Sequence, residues 1–283
     1  MRRSASMSGR VTSRTSGKST SKSSGNGSDT GISTGSGGNG VTIITPTIRP
    51  QYMEGLLNNY ARQQWDRKEL IIVLNRQTMN LAHYVEAARN YDHVRVLRLS
   101  AKHPLGDCMN LAAAAAQYPY IAKFDDDDYY GPGYLSDAMH TFAQTGADVV
   151  GKLSFFFYFP HRQLLLLRKR TIPSQGDVKR VAGATIVFRA SVLEQVRFGK
   201  KRQGSDVQFI RDCLQHGLAV RSTSPYHFAA IRRSDRLTHT WKVQEKKLLA
   251  DPSSQLINTE DFTQYVDQPA DGGPLAHISQ KRK

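Results

Sequence analysis

One stretch constrains the fold of this chain more than any other: the apolar run Tyr120-Ile-Ala-Lys-Phe124 passes directly into Asp125-Asp126-Asp127-Asp128. A strand ends where four carboxylates begin. Upstream, short apolar runs alternate with segments of helical period. Val41 to Thr45 is β-rich and ends at Pro46, while Met53, Leu56, Leu57, Tyr60 and Ala61 recur at helical spacing. Leu70 to Leu74 is continuously apolar, as expected of a strand covered on both faces. Leu81, Tyr84, Val85 and Ala88 mark a second helix, Val94 to Leu99 a further strand, and Gly106 to Gln117 an Ala-rich helix. Beyond the acidic run, Tyr134, Ala138, Met139 and Phe142 define a helix and Val149 to Leu153 a strand. Such alternation with short links predicts an α/β fold with a parallel sheet between layers of helices.

From Leu153 the pattern changes. Leu153 to Phe159 and Gln163 to Leu167 flank a Pro-His-Arg turn and read as an antiparallel hairpin. Gly183 to Phe188 reads as a strand. Ser205 to His216 reads as a helix with Val207, Ile210, Cys213 and Leu214 on one face, closed by Gly217. Residues 1–40 are rich in Ser, Gly and Thr and lack apolar periodicity, so they are expected to be disordered. Within them Gly17-Lys18-Ser19-Thr20 imitates the end of a P-loop, but Thr12 stands where its first glycine belongs and no strand precedes it. The residues after Gln268 are Pro/Gly-rich and expected to fray.

The chain has 283 residues, with 39 Lys and Arg against 24 Asp and Glu, a formal net charge of +15. That surplus suits nucleic acid, an anionic surface or an anionic substrate. Two cysteines, Cys108 and Cys213, cannot build a disulfide scaffold and fit a reduced, cytosolic chain. The longest apolar stretch, Leu153 to Leu167, is broken by Pro160, His161 and Arg162, so no transmembrane helix is expected. No apolar core follows the N-terminal Arg pair, and no secretory leader is expected either.

In an open parallel sheet, ligands bind beyond the carboxyl ends of the strands. Four carboxylates there repel one another by several kcal/mol unless a cation or strong donors offset the charge. All-oxygen clusters suit Mg²⁺ or Mn²⁺, which in turn carry phosphates. The alternative is a solvated acidic turn or a cap for the helix at Tyr134. An EF-hand is excluded by the spacing. Gly204-Ser205-Asp206 heads a helix, where Ser205 or Asp206 capping that helix or complementing its dipole would account for them. Arg232-Arg233, Arg236 and His239-Thr240-Trp241 form a third feature: guanidinium pairs suit phosphate, and His suits Mn²⁺. A solvated basic loop is the equal alternative.

Together these residues resemble the family 2 glycosyltransferases of the GT-A fold, a single Rossmann-like α/β domain with a mixed sheet, over residues 41 to about 250. The likeness rests on an ordered series: Val41-Thr-Ile-Ile-Thr-Pro-Thr-Ile-Arg49, Glu69-Leu-Ile-Ile-Val-Leu-Asn75, Phe124 with the acidic run, Ala182-Gly-Ala184, and Gly204-Ser-Asp206. More narrowly, Ala122-Lys-Phe-Asp-Asp-Asp-Asp-Tyr-Tyr130, Gly151-Lys-Leu153 and His239-Thr-Trp241 resemble glycosyltransferases of spore maturation in bacilli. The resemblance implies a nucleotide-binding half over 41–150, an acceptor half over 151–250 and a partly disordered extension over 251–283. It also implies a nucleotide-sugar donor, UDP-linked by preference, with Mn²⁺ or Mg²⁺ and inverting transfer to a hydroxyl. Thr45, Pro46, Thr47 and Arg49 would border the nucleotide together with Asp126, and Arg232 and Arg233 would support its phosphates. Asn75 stands where the family usually carries Asp, keeping an acceptor but losing the charge. Asp125 and Asp127 match the Asp-x-Asp positions, although Asp126 and Asp128 allow a register shifted by one. His239 matches a further metal ligand of some relatives. Asp206 would be the catalytic base, with Ser205 in place of the usual preceding Glu.

Two other readings compete. A nucleotidyltransferase would carry a Gly-rich loop where Thr45-Pro46-Thr47 stands. An inactive module binding anionic polymers would use Arg168-Lys169-Arg170, Lys179-Arg180 and Lys200-Lys201-Arg202. Six basic residues and Asp29 fall in the first 40 residues, so about five of the charges belong to the tail. The rest lie largely between Arg162 and Arg236, away from the acidic run. The expected partners are therefore a nucleotide-sugar and a glycan or other hydroxyl acceptor of anionic character, with room for peripheral membrane contact. Nucleic acid is not expected, and the expected location is the cytoplasm.

Overall fold

A computed structural model describes residues 39–171, 178–201, 204–234 and 244–269. The disordered tail expected over 1–40 therefore lies almost wholly outside the described residues, as do His239 and the last fourteen residues. The chain opens with β1 (Val41–Thr47), α1 (Met53–Ala61), β2 (Lys68–Leu74), α2 (Leu81–Ala88), β3 (Val94–Arg98), α3 (Leu105–Ala114) and β4 (Tyr120–Lys123). It continues through β5 (Tyr129–Tyr130), α4 (Tyr134–Thr145), β6 (Val149–Gly151), β7 (Phe155–Phe159), β8 (Leu164–Arg168) and β9 (Val187–Arg189). It closes with α5 (Ser205–Gln215), β10 (Val220–Ser222), β11 (Phe228–Ile231), α6 (Glu245–Leu249), β12 (Ser254–Asn258) and α7 (Thr263–Val266).

The main sheet has the order β10-β6-β9-β4-β1-β2-β3. β1 pairs in parallel with both β2 and β4, and β2 in parallel with β3. β9 runs antiparallel to β4 and β6, so the sheet is mixed rather than parallel throughout. Strand alternation gives each face its own core. Ile43, Leu70, Ile72, Ala122 and Phe124 pack with α1, α2 and α4 through Leu56, Tyr60, Tyr84 and Phe142. Ile44, Ile71, Val73, Ile121 and Phe188 pack with α3 and α5 through Met109, Phe209 and Cys213. Both cysteines are free and buried.

The hairpin forms as expected: β7 and β8 pair antiparallel from Phe155 opposite Arg168 to Phe159 opposite Leu164. They belong to a second sheet, β12-β8-β7-β11-β5. All five residues of β7 are buried, so its aromatics are core rather than an exposed platform. Two expectations need correcting. Gly183–Thr185 is a 3-10 turn leading into β9, closed by the Thr185 amide on the Ala182 carbonyl at 2.9 Å. On α5 the buried stripe is Ser205, Phe209, Ile210 and Cys213, whereas Val207 is 61% exposed. Residues 205, 209 and 213 recur every fourth position, and at 100° per residue Val207 falls on the far side of them. Gly217 follows the helix in the left-handed region (φ +76°), as the sequence indicates.

Lys152, just after β6, ties the end of that strand to α4 and to the segment that follows β10. Its side chain is fully buried and donates to Asp137 Oδ2 on α4 (2.8 Å), Thr223 Oγ1 (3.1 Å) and the Ser224 carbonyl (2.8 Å). Three acceptors use all three ammonium protons. Burial pulls the Lys152 pKa down against the opposing effect of Asp137. Lys152→Met leaves Asp137 buried and unpaired, and is expected to cost about 3–5 kcal/mol in urea unfolding. Adding Asp137→Asn should restore part of that loss; an unchanged midpoint for the single variant would contradict the role.

Candidate active site

The strand order reverses at β1: the chain runs outward through β2 and β3, then returns to place β4 on the other side of β1. Ligands bind at such a switch point in open α/β sheets. Here the carboxyl ends of β1 and β4 are joined by side chains. Thr47 Oγ1 donates to Asp126 Oδ2 and accepts the Arg49 amide at 3.1 Å. Arg49 then spans two aspartates, bonded to Asp126 through Nε and Nη2 and to Asp127 Oδ2 through Nη1 at 2.6 Å. Burial works against the charge on Arg49, but the two carboxylates outweigh it and hold the guanidinium ionised. Asp126 has its own pKa raised by burial despite Arg49 and Thr47.

The backbone of the acidic loop is held by polar side chains from α1 and the turn that follows it. Asn59 Nδ2 donates to the Asp128 carbonyl (2.8 Å) and its Oδ1 accepts the Tyr130 amide (3.2 Å). Gln63 Nε2 donates to the carbonyls of Tyr130 and Gly131. A loop buried against a helix needs such partners for its amides and carbonyls. Tyr130, fully buried and stacked on Phe124 at 3.7 Å between ring centroids, receives the Asp125 amide on its hydroxyl (2.7 Å). The same hydroxyl donates to the Ala184 carbonyl (2.6 Å), tying the acidic run to the Ala182-Gly-Ala184 turn. The run therefore does not cap α4, whose N-cap is Gly133 without a side-chain bond.

Because β5 follows the run directly and pairs with β11, the residues after β11 reach it too. The Ile231 amide donates to Asp128 Oδ1 (3.0 Å), and Arg233 Nη1 donates to the Asp127 carbonyl (3.1 Å). Arg233 and Arg49 both lie over the Tyr52 ring. The Arg232 amide donates to the Tyr158 carbonyl (2.7 Å), continuing the ladder beyond β11. Tyr52, Asn58, Arg62, Asp127, Tyr129 and Arg233 border a cleft of about 310 Å³ on this side of the run.

Asp206 meets the run from α5. Its helix begins at Gly204, in the left-handed region (φ +77°), with no side-chain cap. Neither Ser205 nor Asp206 is therefore spent on capping. The carboxylate lies against Gly183, where an added Cβ would come within 2.6 Å of Asp206 Oδ2. Oδ2 is 3.5 Å from Lys123 Nζ, and Lys123 is bonded in turn to Asp125 Oδ1. Asp206 Oδ1 is buried and accepts no hydrogen bond among the described residues. Burial raises the Asp206 pKa; Lys123 opposes that rise and Asp125 adds to it.

The structure thus brings together Thr47, Arg49, Asp125, Asp126, Asp127, Asp206 and Arg233. Thr45 is buried on β1 with a hydroxyl that has no partner among the described residues, and Pro46 sits in the strand opposite Val73. Asn75 lies past the end of β2, its amide on the Thr47 carbonyl and its Nδ2 on the Ser100 carbonyl (both 2.9 Å). Lys123 and Tyr130 had no role in the sequence reading. The signal for Lys123 was a charged residue inside an apolar strand.

Within the run, side-chain exposure is 36% at Asp125 and 13% at Asp127 against 3% at Asp126. Among the described residues no three His, Cys, Asp or Glu side chains converge as a closed metal site. That suits an ion of the Mg²⁺ class, which takes one or two carboxylates and completes its shell with substrate phosphates and water. The donor set, Asp127 at the cleft and the partly exposed Asp125 close to it in sequence, is enough for that kind of ion.

A sequence profile described as Glycosyl transferase family 2 matches residues 42–196, more than half of the chain. The chain belongs to this family. Among solved structures it resembles S. aureus TarS 1-349 in complex with UDP-GlcNAc, at 19% identity and TM-score 0.57, over 74% of this chain and 63% of that one. It also resembles the mannosyltransferase PcManGT from Pyrobaculum calidifontis in complex with GDP-Man and Mn²⁺, at 16% identity and TM-score 0.54, over 70% and 57%. The chain thus spans less than two-thirds of either. These likenesses establish a GT-A-type α/β fold with a mixed sheet. No curated protein sequence shows significant similarity to the chain. No helix among the described residues is long and apolar enough to cross a membrane.

Asp128 offers a test of the buried charge. Burial, and then the neighbouring Asp127 and Asp125, push its carboxyl well above the ordinary range, so the fold favours the neutral form. A raised carboxyl loses stability as pH rises through its folded value. Asp128→Asn, which can still accept the Ile231 amide, should therefore gain roughly 1–3 kcal/mol in urea unfolding at pH 7 to 8. That gain should vanish below about pH 4, where both side chains are neutral. A constant difference across pH would contradict it.

Proposed function

We propose that the protein is a metal-dependent inverting glycosyltransferase that moves a sugar from a nucleoside-diphosphate donor to a hydroxyl acceptor. The observation that carries this reading is Asp206: a carboxylate with one buried, unpartnered oxygen, set by Gly183 beside the acidic run at the switch point of a family 2 fold. A carboxylate held this way is a general base awaiting a proton. Asp206 would take the acceptor hydroxyl's proton as the hydroxyl oxygen attacks the anomeric carbon. The bond from that carbon to the diphosphate breaks, and the electron pair leaves with the phosphate oxygen. One base suffices for inversion, with no enzyme nucleophile.

Asp125 and Asp127, together with His239, would hold Mn²⁺ or Mg²⁺, whose bound charge offsets that of the leaving diphosphate. Arg233 and Arg232 would support the same oxygens. Thr45, Pro46, Thr47 and Asn75 would border the nucleoside at the ends of β1 and β2. Asp126, bonded to Thr47 and Arg49, would act through Arg49 rather than touch the donor. The ligands of the two structural relatives, UDP-GlcNAc and GDP-Man with Mn²⁺, support a nucleotide-sugar donor and a divalent ion. UDP is the nucleotide we favour. The spore-like motifs support a role in cell-surface or spore polysaccharide synthesis, with an acceptor of anionic character. The free, buried Cys108 and Cys213 support a cytoplasmic setting.

A thermal-shift panel of nucleotides and nucleotide-sugars with and without Mn²⁺ tests the donor, and stabilisation should need nucleotide and metal together. Asp127→Ala should lose that joint effect. With the donor found, Asp206→Asn should still bind nucleotide with Mn²⁺ and lose about 10²- to 10⁴-fold in transfer or donor hydrolysis. Appreciable residual transfer by Asp206→Asn would remove the base assignment.

A further inference from the structure

We propose that Lys123 is a positioning residue with two partners: it holds Asp125 in the free enzyme, releases it to the donor's divalent ion, and then closes on Asp206. This deepens the proposed function and rests on it.

The argument begins with where the lysine lies. On β4, Ile121 faces the core shared by α3 and α5, Ala122 and Phe124 face the opposite core, and strand alternation puts Lys123 on the side of Ile121. Its side chain is 2% exposed. An apolar residue would serve that position better, because a buried ammonium must be paired to be tolerated. The pairing present is uneven. Nζ is hydrogen-bonded to Asp125 Oδ1, yet it stands 3.5 Å from Asp206 Oδ2, within ion-pair reach but beyond a good charge-assisted hydrogen bond.

Asp206 lies directly against Gly183, so its carboxylate cannot shift toward that turn. The other acid nearby, Asp128, is engaged by the Ile231 amide. Once Asp125 turns to a cation at the cleft, Asp206 is the carboxylate left within reach of the ammonium. Closing the 3.5 Å gap to about 2.8 Å needs only a small rotation at the end of a flexible side chain. That movement anchors Oδ2 and fixes the orientation of the carboxylate, so donor loading sets the base.

A metal ion at Asp125 competes with the ammonium for the same carboxylate charge and is repelled by it, which makes the idea measurable without turnover. Mn²⁺ binding in the presence of saturating UDP, followed by the electron paramagnetic resonance signal of free Mn²⁺, should change in a defined pattern. Lys123→Met should bind Mn²⁺ about three- to thirty-fold more tightly, because nothing competes for Asp125. Donor hydrolysis should nevertheless fall. Asp206→Asn should bind Mn²⁺ about threefold or more weakly, because the ammonium has lost the partner it would move to. In the Lys123→Met background, Asp206→Asn should have no further effect on Mn²⁺ affinity, and Lys123→Arg should keep the coupling. A lysine acting only as a structural ion pair would give no such dependence of metal affinity on Asp206.

Unchanged or weaker Mn²⁺ binding in Lys123→Met, or an Asp206→Asn effect that persists without the lysine, overturns the proposal. If Lys123→Met fails to fold, Asp206→Asn alone decides, and an unaltered affinity overturns the coupling. A wild-type protein that binds no Mn²⁺ with nucleotide defeats the glycosyltransferase reading itself, and this inference with it. Normal wild-type binding with a flat pattern across the variants defeats only the role of Lys123.

Discussion

Mutual repulsion among the carboxylates at the end of β4 is the constraint around which this site is built. Asp125 to Asp128 follow a strand buried on both faces, and Asp206 arrives from α5. Two cations fixed by the protein offset this charge. Arg49 lies across Asp126 and Asp127, and Lys123 lies between Asp125 and Asp206. Burial disfavours charge on both, yet their carboxylate partners hold both ionised. Neither cation is exchangeable with solvent in the way a surface lysine is. The acidic run can therefore exist before any ligand arrives, with its geometry already set.

The four aspartates divide the labour by alternation. Asp126 and Asp128 turn into the protein, one to Thr47 and Arg49, the other to the Ile231 amide. Each thereby joins two pieces of chain: Asp126 links β4 to β1, and Asp128 links the run to β11 of the second sheet. Asp125 and Asp127 keep more of their surface at the open side.

Much of this was legible in the sequence because strand–helix alternation and apolar period are local signals. The order of elements from Val41 to Leu74, the hairpin, and Gly217 after α5 follow from spacing and turn chemistry. What was not legible depends on contacts far apart in the chain. The reversal of β9 arises from its place between β4 and β6, which no local pattern records. β12 is short, half-exposed and set by pairing with β8, so its apolar alternation is weak. In the site, Asp206 was visible from its motif, but its competitor, helix capping, could be dismissed only with Gly204 in place at the helix start. Asn59 and Gln63 looked like ordinary polar residues on a helix; they are buried because the acidic loop needs partners for its backbone.

The second sheet explains how residues a hundred positions apart come to share one cleft. β5 consists of only Tyr129 and Tyr130, too short to be a stable edge by itself. It persists because Tyr130 is locked between Phe124, Phe228 and the Ala184 carbonyl. Pairing of so short a strand with β11 then aims Arg232 and Arg233 back at the run that precedes it. Phe155 to Phe159, buried behind β11, are the packing that supports this arrangement and not a surface for a sugar ring. The aromatic rings that do border the cleft are Tyr52 and Tyr129, the first beneath Arg49 and Arg233, the second beneath Arg62. Positive charge on the cleft side therefore meets the acidic run through Arg49 and Arg233, both stacked on Tyr52, while Arg62 lies over Tyr129 at the cleft's edge. Stacking on a ring fixes the plane of each guanidinium, so its fork meets oxygen acceptors in a set orientation that a freely moving lysine would not keep.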